Sequence, residues 1–485
     1  MSNATQHLAA LSCFRAIAAL PVDQLPPNLK VPRASTSFQT YIRTPGSKSL
    51  SNRAVLLASL AAGRSVLRGA LVEADDAQRM LEAAGLLGAM VQHGPPDVTT
   101  GGPTVEIVGV GGAWKPTGSG NEVKLNLNNA GTAVRFLAGA ALLSPVPVLI
   151  DGNHRMRQRP IAELGDLLGK LGCRVEYLGN ANCPPVRITP PADINFCPSS
   201  IEIGSTHSSQ FASALLLAAP WLPHGITLRF IGETTSVSYV RMTTGLLARL
   251  GATVQESADG RVVRVSGRLA AKGLAAFSYD VEPDASGATY FWAAAALIPG
   301  SRANLAGLGS DSLQGDCDFP QMLRRMGCEV GEQQRPGERT SWVLGPRELQ
   351  PLLADMSEMP DAAMTLASVA AFASGTSILR GLKTLRVKET DRIAALQEQL
   401  IKIGVQVATN VANDPDAVTI TPPPGGIDCG ETVAPVYFDT YDDHRMAMAL
   451  SLIGLRRPNV FIKDPACVRK TYPTFWRDWA AHYAV

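Results

Sequence analysis

The sequence has little of what would mark a metal centre, a disulfide framework, a membrane span or a polyanion binder. Its eight cysteines, at positions 13, 173, 183, 197, 317, 328, 429 and 467, include no C-x-x-C pair and no histidine at zinc spacing. Reduced, mostly buried thiols and no bound metal are therefore expected. The longest apolar runs, such as Ala212–Leu222, reach about half of the ~20 residues needed to cross a bilayer and contain Pro220. A membrane-spanning helix is not expected. Charge of one sign is missing too: 44 Lys and Arg against 42 Asp and Glu leave a formal balance of +2. No global field draws nucleic acid, so any anion site must come from local placement.

What is present is an ordinary globular composition, 46% hydrophobic and 18% charged, over 485 residues. That length exceeds what one hydrophobic core supports, and two lobes are the natural expectation. The start of the chain is separate in character. Leu8–Val22 is apolar, but Arg15 sits in its middle and no basic stretch precedes it, which argues against a secretory signal. Its single acid, Asp23, leaves an organelle transit peptide as the alternative to a plain leader or an added helix. The cytoplasm is the expected compartment, with a plastid or other organelle if the first forty residues act as a transit peptide.

Self-similarity is the most informative property. An apolar helical stretch, then a Leu/Ile/Met-Gly pair, then a short strand recurs at Leu87-Gly88-Ala89-Met90-Val91, Leu171-Gly172-Cys173-Arg174-Val175, Leu250-Gly251-Ala252-Thr253-Val254, Met326-Gly327-Cys328-Glu329-Val330 and Ile403-Gly404-Val405-Gln406-Val407. The glycine suits a helix C-cap, where a left-handed residue turns the chain into the strand. A second pattern interleaves with it, an Ala/Leu-rich helix, a Gly/Pro turn and a β-branched or Leu-rich strand, at 50–69, 133–152, 210–232, 288–307, 362–381 and 445–464. Six units in two sets of three predict an α/β (α+β) fold with two similar domains around a cleft. The boundaries expected are 46–281 for the first lobe and 282–485 for the second. Residues 1–45 form an extension plus a strand, Phe38–Arg43, that would join the second lobe.

Polar clusters fall immediately before, or in the first turn of, the Ala-rich helices: Gly46-Ser47-Lys48-Ser49, Asn129-Ala130-Gly131-Thr132, Ser208-Ser209-Gln210, Pro283-Asp284-Ala285-Ser286, Pro360-Asp361-Ala362 and Asp442-Asp443-His444-Arg445. Each alone reads as helix capping. Together they place six helix starts, each with open N–H donors and a partial positive charge, where phosphate or carboxylate could bind. Lys48, Arg53, Arg135, Arg155, Arg159, Arg386, Lys388, Arg392, Arg445 and Lys470 lie in or beside these segments. Arginine is suited to a bidentate grip on such groups. The segment around Gly46 is not a nucleotide P-loop, because Ser47 separates Gly46 from Lys48 and Tyr41 stands where the earlier glycine belongs. Asp361 and Glu389 are the candidate acid–base carboxylates among these cations, with Lys48 a third proton-transfer candidate. If Arg386–Arg392 begins the helix running to Ile403, Glu389 and Arg392 share one helix face.

Taken together, Pro45-Gly46-Ser47-Lys48-Ser49-Leu50-Ser51-Asn52-Arg53, Asn129-Ala130-Gly131-Thr132, Arg155-Met156-Arg157-Gln158-Arg159-Pro160, Ser208-Ser209-Gln210, Arg386-Val387-Lys388-Glu389-Thr390-Asp391-Arg392 and Asp443-His444-Arg445-Met446-Ala447 closely resemble the 3-phosphoshikimate 1-carboxyvinyltransferase (EPSP synthase) family. The likeness covers about residues 38–480. It implies two domains, each of three βαβαββ copies, and an enolpyruvyl transfer from phosphoenolpyruvate to the 5-hydroxyl of shikimate 3-phosphate. The resemblance puts Lys48, Ser49, Arg53, Ser208, Ser209, Gln210, Ser236, Tyr239, Asp361 and Lys388 around shikimate 3-phosphate. It puts Lys48, Gly131, Arg155, Gln210, Arg392, Arg445 and Lys470 around phosphoenolpyruvate, with Asp361 near the 5-hydroxyl and Glu389 near the methylene carbon. The first lobe is then the shikimate 3-phosphate side and the second the phosphoenolpyruvate side. It further implies no cofactor and no metal, small-molecule substrates as the partners, and a monomer.

Three places depart from the family's usual pattern. Thr384 and Leu385 replace a polar residue and Trp, Phe136 stands where many members have Pro, and the first forty residues have no counterpart. The enzyme that acts on UDP-N-acetylglucosamine is the nearest rival, but its opening motif lacks Gly-Ser-Lys-Ser and it uses a loop cysteine, for which Cys183 and Cys197 are the positions to check. A non-catalytic anion binder would have no use for Asp361 and Glu389.

Overall fold

The computed structural model describes residues 13–34, 36–98, 100–118, 120–232, 236–271, 273–335 and 338–481. Leu8–Ser12, the beginning of the apolar N-terminal stretch, lies outside these. The chain divides into two compact units, Pro45–Glu282 and the segment up to Thr44 together with Pro283 onward.

The Pro45–Glu282 unit holds three four-stranded sheets. In the sheet of 123–126, 148–151, 186–189 and 174–177, the first two strands are parallel and the others add antiparallel. The parallel pair is joined by the Gly131–Ala140 helix, and the Ala162–Lys170 helix leads into the hairpin. This βαβαββ order repeats with strands 200–203, 226–230, 262–265 and 254–256. The remaining sheet is closed by the last strand of the unit: Ser278–Asp280 pairs in parallel with 62–68.

The other unit mirrors that arrangement from the opposite end of the chain. Gln39–Ile42 supplies the parallel strand beside Arg302–Ala306, and Leu353–Asp355 does so beside Ser377–Arg380 within its own repeat. The third sheet has three strands. Val436–Phe438 runs parallel to Val460–Lys463, and Asn28–Val31 takes the antiparallel place. Residues 28–31 are therefore part of the repeat and not a featureless extension; Leu29 and Val31 are 1% exposed, and Phe14 and Ala18 are buried in the same core.

The sequence patterns map onto these elements for physical reasons. Gly88, Gly172, Gly251, Gly327 and Gly404 all have φ between +83° and +106°, the left-handed region that ends a helix without a Cβ penalty. The six Ala/Leu-rich segments form the innermost helix of each repeat. In Ala285–Leu297 every residue is buried, as an apolar-all-round helix requires. Small side chains let these helices close on each other: a Cβ on Gly139 would lie 2.8 Å from the backbone of Ala214. In the Pro283-onward unit, Thr289 and Thr365 hydroxyls meet at 3.0 Å, one turn into two such helices. Their N-terminal ends are thus neighbours. No described helix is long and apolar enough to cross a membrane.

Candidate functional site

The Pro283-onward unit gathers its charge around one buried guanidinium. Arg392, 1% exposed, opens the Arg392–Leu400 helix, whose N-cap Asp391 accepts from the Ile393 and Ala394 amides. Its Nε and Nη2 grip both oxygens of Asp443 at 2.8 and 3.1 Å, Nη1 donates to Asp361 Oδ1 at 3.0 Å, and Nη2 also reaches Glu389 Oε2 at 3.0 Å. Burial by itself would lower the Arg392 pKa, but Asp443, Glu389 and Asp361 outweigh it and hold the pKa above its ordinary value.

Further cations complete the cage. Lys470 Nζ lies 2.7 Å from the other Glu389 oxygen; Arg445 Nη2 lies 3.0 Å from Asp361 Oδ2, and Lys388 Nζ lies 3.3 Å from Asp361 Oδ1. In these ion pairs among the described residues, four cations face three carboxylates. Asp443 is also the N-cap of the His444–Gly454 helix, accepting from the Arg445 amide at 2.9 Å. Asp361 stands in the turn before the Ala363–Ala370 helix. A fourth carboxyl, Asp316, is buried nearby: its Oδ2 accepts from Ser286, and its Oδ1 has no hydrogen-bond partner. Burial, and then the charge of Asp361, push its pKa up to about 7 against the pull of Ser286 and Arg445.

The Pro45–Glu282 unit has a cation of another kind. Arg53 is 1% exposed yet donates only to neutral oxygens: Thr243 Oγ1 at 2.8 Å, Ser49 O at 2.9 Å, Tyr239 O at 3.2 Å and Ser213 Oγ at 3.4 Å. Phe136 lies beneath it, 4.9 Å from ring centroid to Cζ. With no carboxylate to offset burial, its pKa falls to about 10. Such a guanidinium is prepared for an anion. Lys48, first residue of the Lys48–Leu60 helix that Ser47 caps, sits 3.4 Å from the buried Asp76.

The starts of the neighbouring helices adjoin. Gln210 Nε2 donates to Thr132 Oγ1 at 3.3 Å, linking the helices that begin at Gln210 and Gly131. Neither N-cap residue, Ala130 nor Ser209, caps its helix through a side chain. At Gly131 a Cβ would come within 2.6 Å of an Arg159 nitrogen, and the absent side chain admits that guanidinium, which donates to Asn129 Oδ1 at 3.1 Å. Arg155 precedes a short 3-10 turn and reaches Gln158 Oε1 at 3.2 Å. Ser208 Oγ accepts from the Gln210 amide, and Ser209 occupies the N-cap position. Ser236, with φ of +51°, leads into the helix carrying Tyr239. Lys48, Ser49, Arg53, Gly131, Arg155, Ser208, Ser209, Gln210, Ser236 and Tyr239 therefore lie in this unit, and Asp361, Lys388, Glu389, Arg392, Arg445 and Lys470 in the other.

Several expectations need correction. Glu389 is not on the helix with Arg392: Asp391 takes the N-cap, so the helix starts only at Arg392, and Glu389 reaches that arginine from the preceding loop. Arg386 is committed to Asp416 at 3.0 Å and to Pro415 O, where it ties down the turn of a hairpin. Arg135 is buried and donates to Pro160 O at 2.9 Å. Sequence reasoning missed Asp443, Asp76 and Asp316 as carboxylates opposing the cations, since each looks like an ordinary helix-start acid. Only the spacing of Asp443 two residues before Arg445 hinted otherwise. Four of the eight cysteines are buried, and burial drives Cys173 and Cys328 up to about 12. No described group of three or more His, Cys, Asp or Glu side chains could hold a metal ion.

Fold and site together define a class, an α/β enzyme of repeated units in which buried carboxylates are set among cations at helix starts. The comparisons with known proteins give its family. The family model described as EPSP synthase (3-phosphoshikimate 1-carboxyvinyltransferase) matches residues 32–479, and the chain belongs to this family. A relative from Enterobacter sp. (strain 638), named 3-phosphoshikimate 1-carboxyvinyltransferase, is 40% identical over 442 residues, covering 90% of this chain and 95% of its own. A relative of the same name from Photobacterium profundum is 39% identical over 436 residues, covering 90% and 94%. The solved EPSP synthase from Acinetobacter baumannii is similar with a TM-score of 0.71 and 25% identity, covering 93% of this chain and 97% of that one.

Proposed function

We propose that this chain joins phosphoenolpyruvate to the 5-hydroxyl of shikimate 3-phosphate, giving 5-enolpyruvylshikimate 3-phosphate and inorganic phosphate. The observation that carries the reading is Arg392, whose one guanidinium holds Asp361, Glu389 and Asp443 together. The two substrates bring about five negative charges close together, and Coulomb repulsion between them must be offset by fixed cations and helix starts.

Asp361 is the base that takes the 5-hydroxyl proton as that oxygen bonds to the central enol carbon. The methylene carbon receives a proton and becomes methyl; Glu389 is the group proposed to supply it. Elimination runs in the reverse sense: one methyl proton returns to Glu389 while the C–O bond to phosphate breaks. Both Glu389 oxygens face cations, so the proton it supplies is taken up from solvent as the substrate anion binds. A substrate anion that draws Lys470 and Arg392 to itself would free one oxygen to carry the proton. The 5-hydroxyl proton held on Asp361 leaves with the departing phosphate, and Lys48 is proposed to share in that transfer.

On this reading Arg53, Ser49, Ser208, Ser209, Gln210, Ser236, Tyr239, Asp361 and Lys388 hold shikimate 3-phosphate. Lys48, Gly131, Arg155, Gln210, Arg392, Arg445 and Lys470 hold phosphoenolpyruvate. Glu389→Gln tests the proposal: substrate binding is expected to stay within a few fold while turnover falls on the order of a hundredfold or more. Near-normal turnover would remove Glu389 from the mechanism.

A further inference from the structure

A second polar cavity lies within the Pro283-onward unit, at the far ends of the helices that start the site. Its volume is about 680 Å³, and Arg347, Phe372, Ser374, Gln406, Pro423 and Arg456 are among its walls. Phe372 and Ser374 follow the end of the Ala363–Ala370 helix, and Arg456 follows the end of His444–Gly454. At about 1.5 Å per residue the cavity is roughly 12–17 Å from Asp361 and Arg445.

Neither of its two arginines, Arg347 and Arg456, pairs with a described carboxylate. Arg457 donates to Ala434 O at 2.8 Å and Pro458 O at 3.2 Å. The Arg456 side chain makes no hydrogen bond or ion pair with any described residue; its guanidinium rests on Phe372, 4.8 Å from the ring centroid. Burial lowers its pKa, and nearby Arg33 adds to the fall against an opposing influence of Cys429. Arg347, exposed on another wall, has no partner among the described residues either. A helix C-terminus favours a cation such as Arg456, and its guanidinium donors, with no protein acceptor among the described residues, are open to a ligand in the polar cavity. Glu348 is the acid on the rim and pairs with neither arginine.

We propose that this cavity is a binding site for a small anion, a carboxylate or phosphate held by Arg456 and Arg347, distinct from the substrate site. A flat apolar part of such a ligand would lie along the prolines at 422–424. The inference does not depend on the reaction proposed above. The test is to soak crystals of the full chain with bromobenzoate or selenate, whose heavy atoms locate them by anomalous scattering. Calorimetric titration with benzoate and with phosphate accompanies it, comparing wild type, Arg456→Gln and Arg347→Gln.

A peak in the cavity that disappears in Arg456→Gln, with affinity about tenfold weaker or more, is expected. Bromobenzoate alone, or selenate alone, would tell a carboxylate from a phosphate ligand. No cavity peak with either probe, or a peak undiminished in both variants, would overturn the proposal. Arg347→Gln alters an exposed side chain, so it keeps the test decisive if Arg456→Gln does not fold.

Discussion

Replacing Arg392 by Met should destabilise the Pro283-onward unit far more than an average substitution. Met fills much of the volume but supplies none of the four N–H bonds that reach Asp443, Asp361 and Glu389. Asp443 is fully buried, and the Glu389 and Asp361 side chains are 6% and 13% exposed. Removing one partner from a buried ion pair costs about 3–5 kcal/mol, because the remaining charge keeps its desolvation penalty. For a unit of this size each kcal/mol lowers the melting temperature by roughly 2–4 °C, so a drop of roughly 6–20 °C is expected. Scanning calorimetry of the purified variant measures it. Pairing Arg392→Met with Asp443→Asn should recover about 1–3 kcal/mol, since the stranded charge is then removed. A loss under about 1 kcal/mol, or two losses that simply add, would refute the view that these carboxylates depend on Arg392.

Other expectations concern single groups. The Asp316 carboxyl is raised from 3.8 to about 7 by burial, so the folded state holds its proton more tightly and stability falls as pH rises from about 4 to 7, then levels. Asp316→Asn should therefore gain on wild type across that window, with a ceiling on the order of 4 kcal/mol, in denaturant titrations at several pH values; a pH-independent difference would contradict it. Arg53→Gln should raise the KM for shikimate 3-phosphate about 10–100-fold with a smaller effect on kcat, and an unchanged KM would show that this guanidinium does not meet the substrate. Deleting residues 1–31 removes the strand that buries Leu29 and Val31, each worth about 1.5–3 kcal/mol, and a melting temperature equal to wild type would show that strand to be dispensable.

The repeats were legible from two local signals that physics ties to geometry: in five of the six a glycine where the chain must turn left-handed, and in all six an alanine-rich helix where neighbours must approach closely. Gly88 and Gly404 illustrate the first, Gly139 against Ala214 the second. The strand at Asn28–Val31 escaped notice because it is short, follows Pro26-Pro27, and is defined by a partner more than 400 positions later. The cations of the site were readable from residue type and position. Their buried counter-charges were not, since a helix-start aspartate looks the same whether it caps in solvent, as Asp391 does, or faces an arginine in the core, as Asp443 does. The fates of Arg386 and Arg53 likewise depend on Asp416 and Thr243, which no local pattern connects to them.

The proposed activity is tested most directly by mixing the purified chain with shikimate 3-phosphate and phosphoenolpyruvate and following inorganic phosphate, without ATP or added metal. Phosphate released only when both substrates are present, in step with formation of 5-enolpyruvylshikimate 3-phosphate, is the expected result. Release no faster than in the absence of the protein would contradict the account.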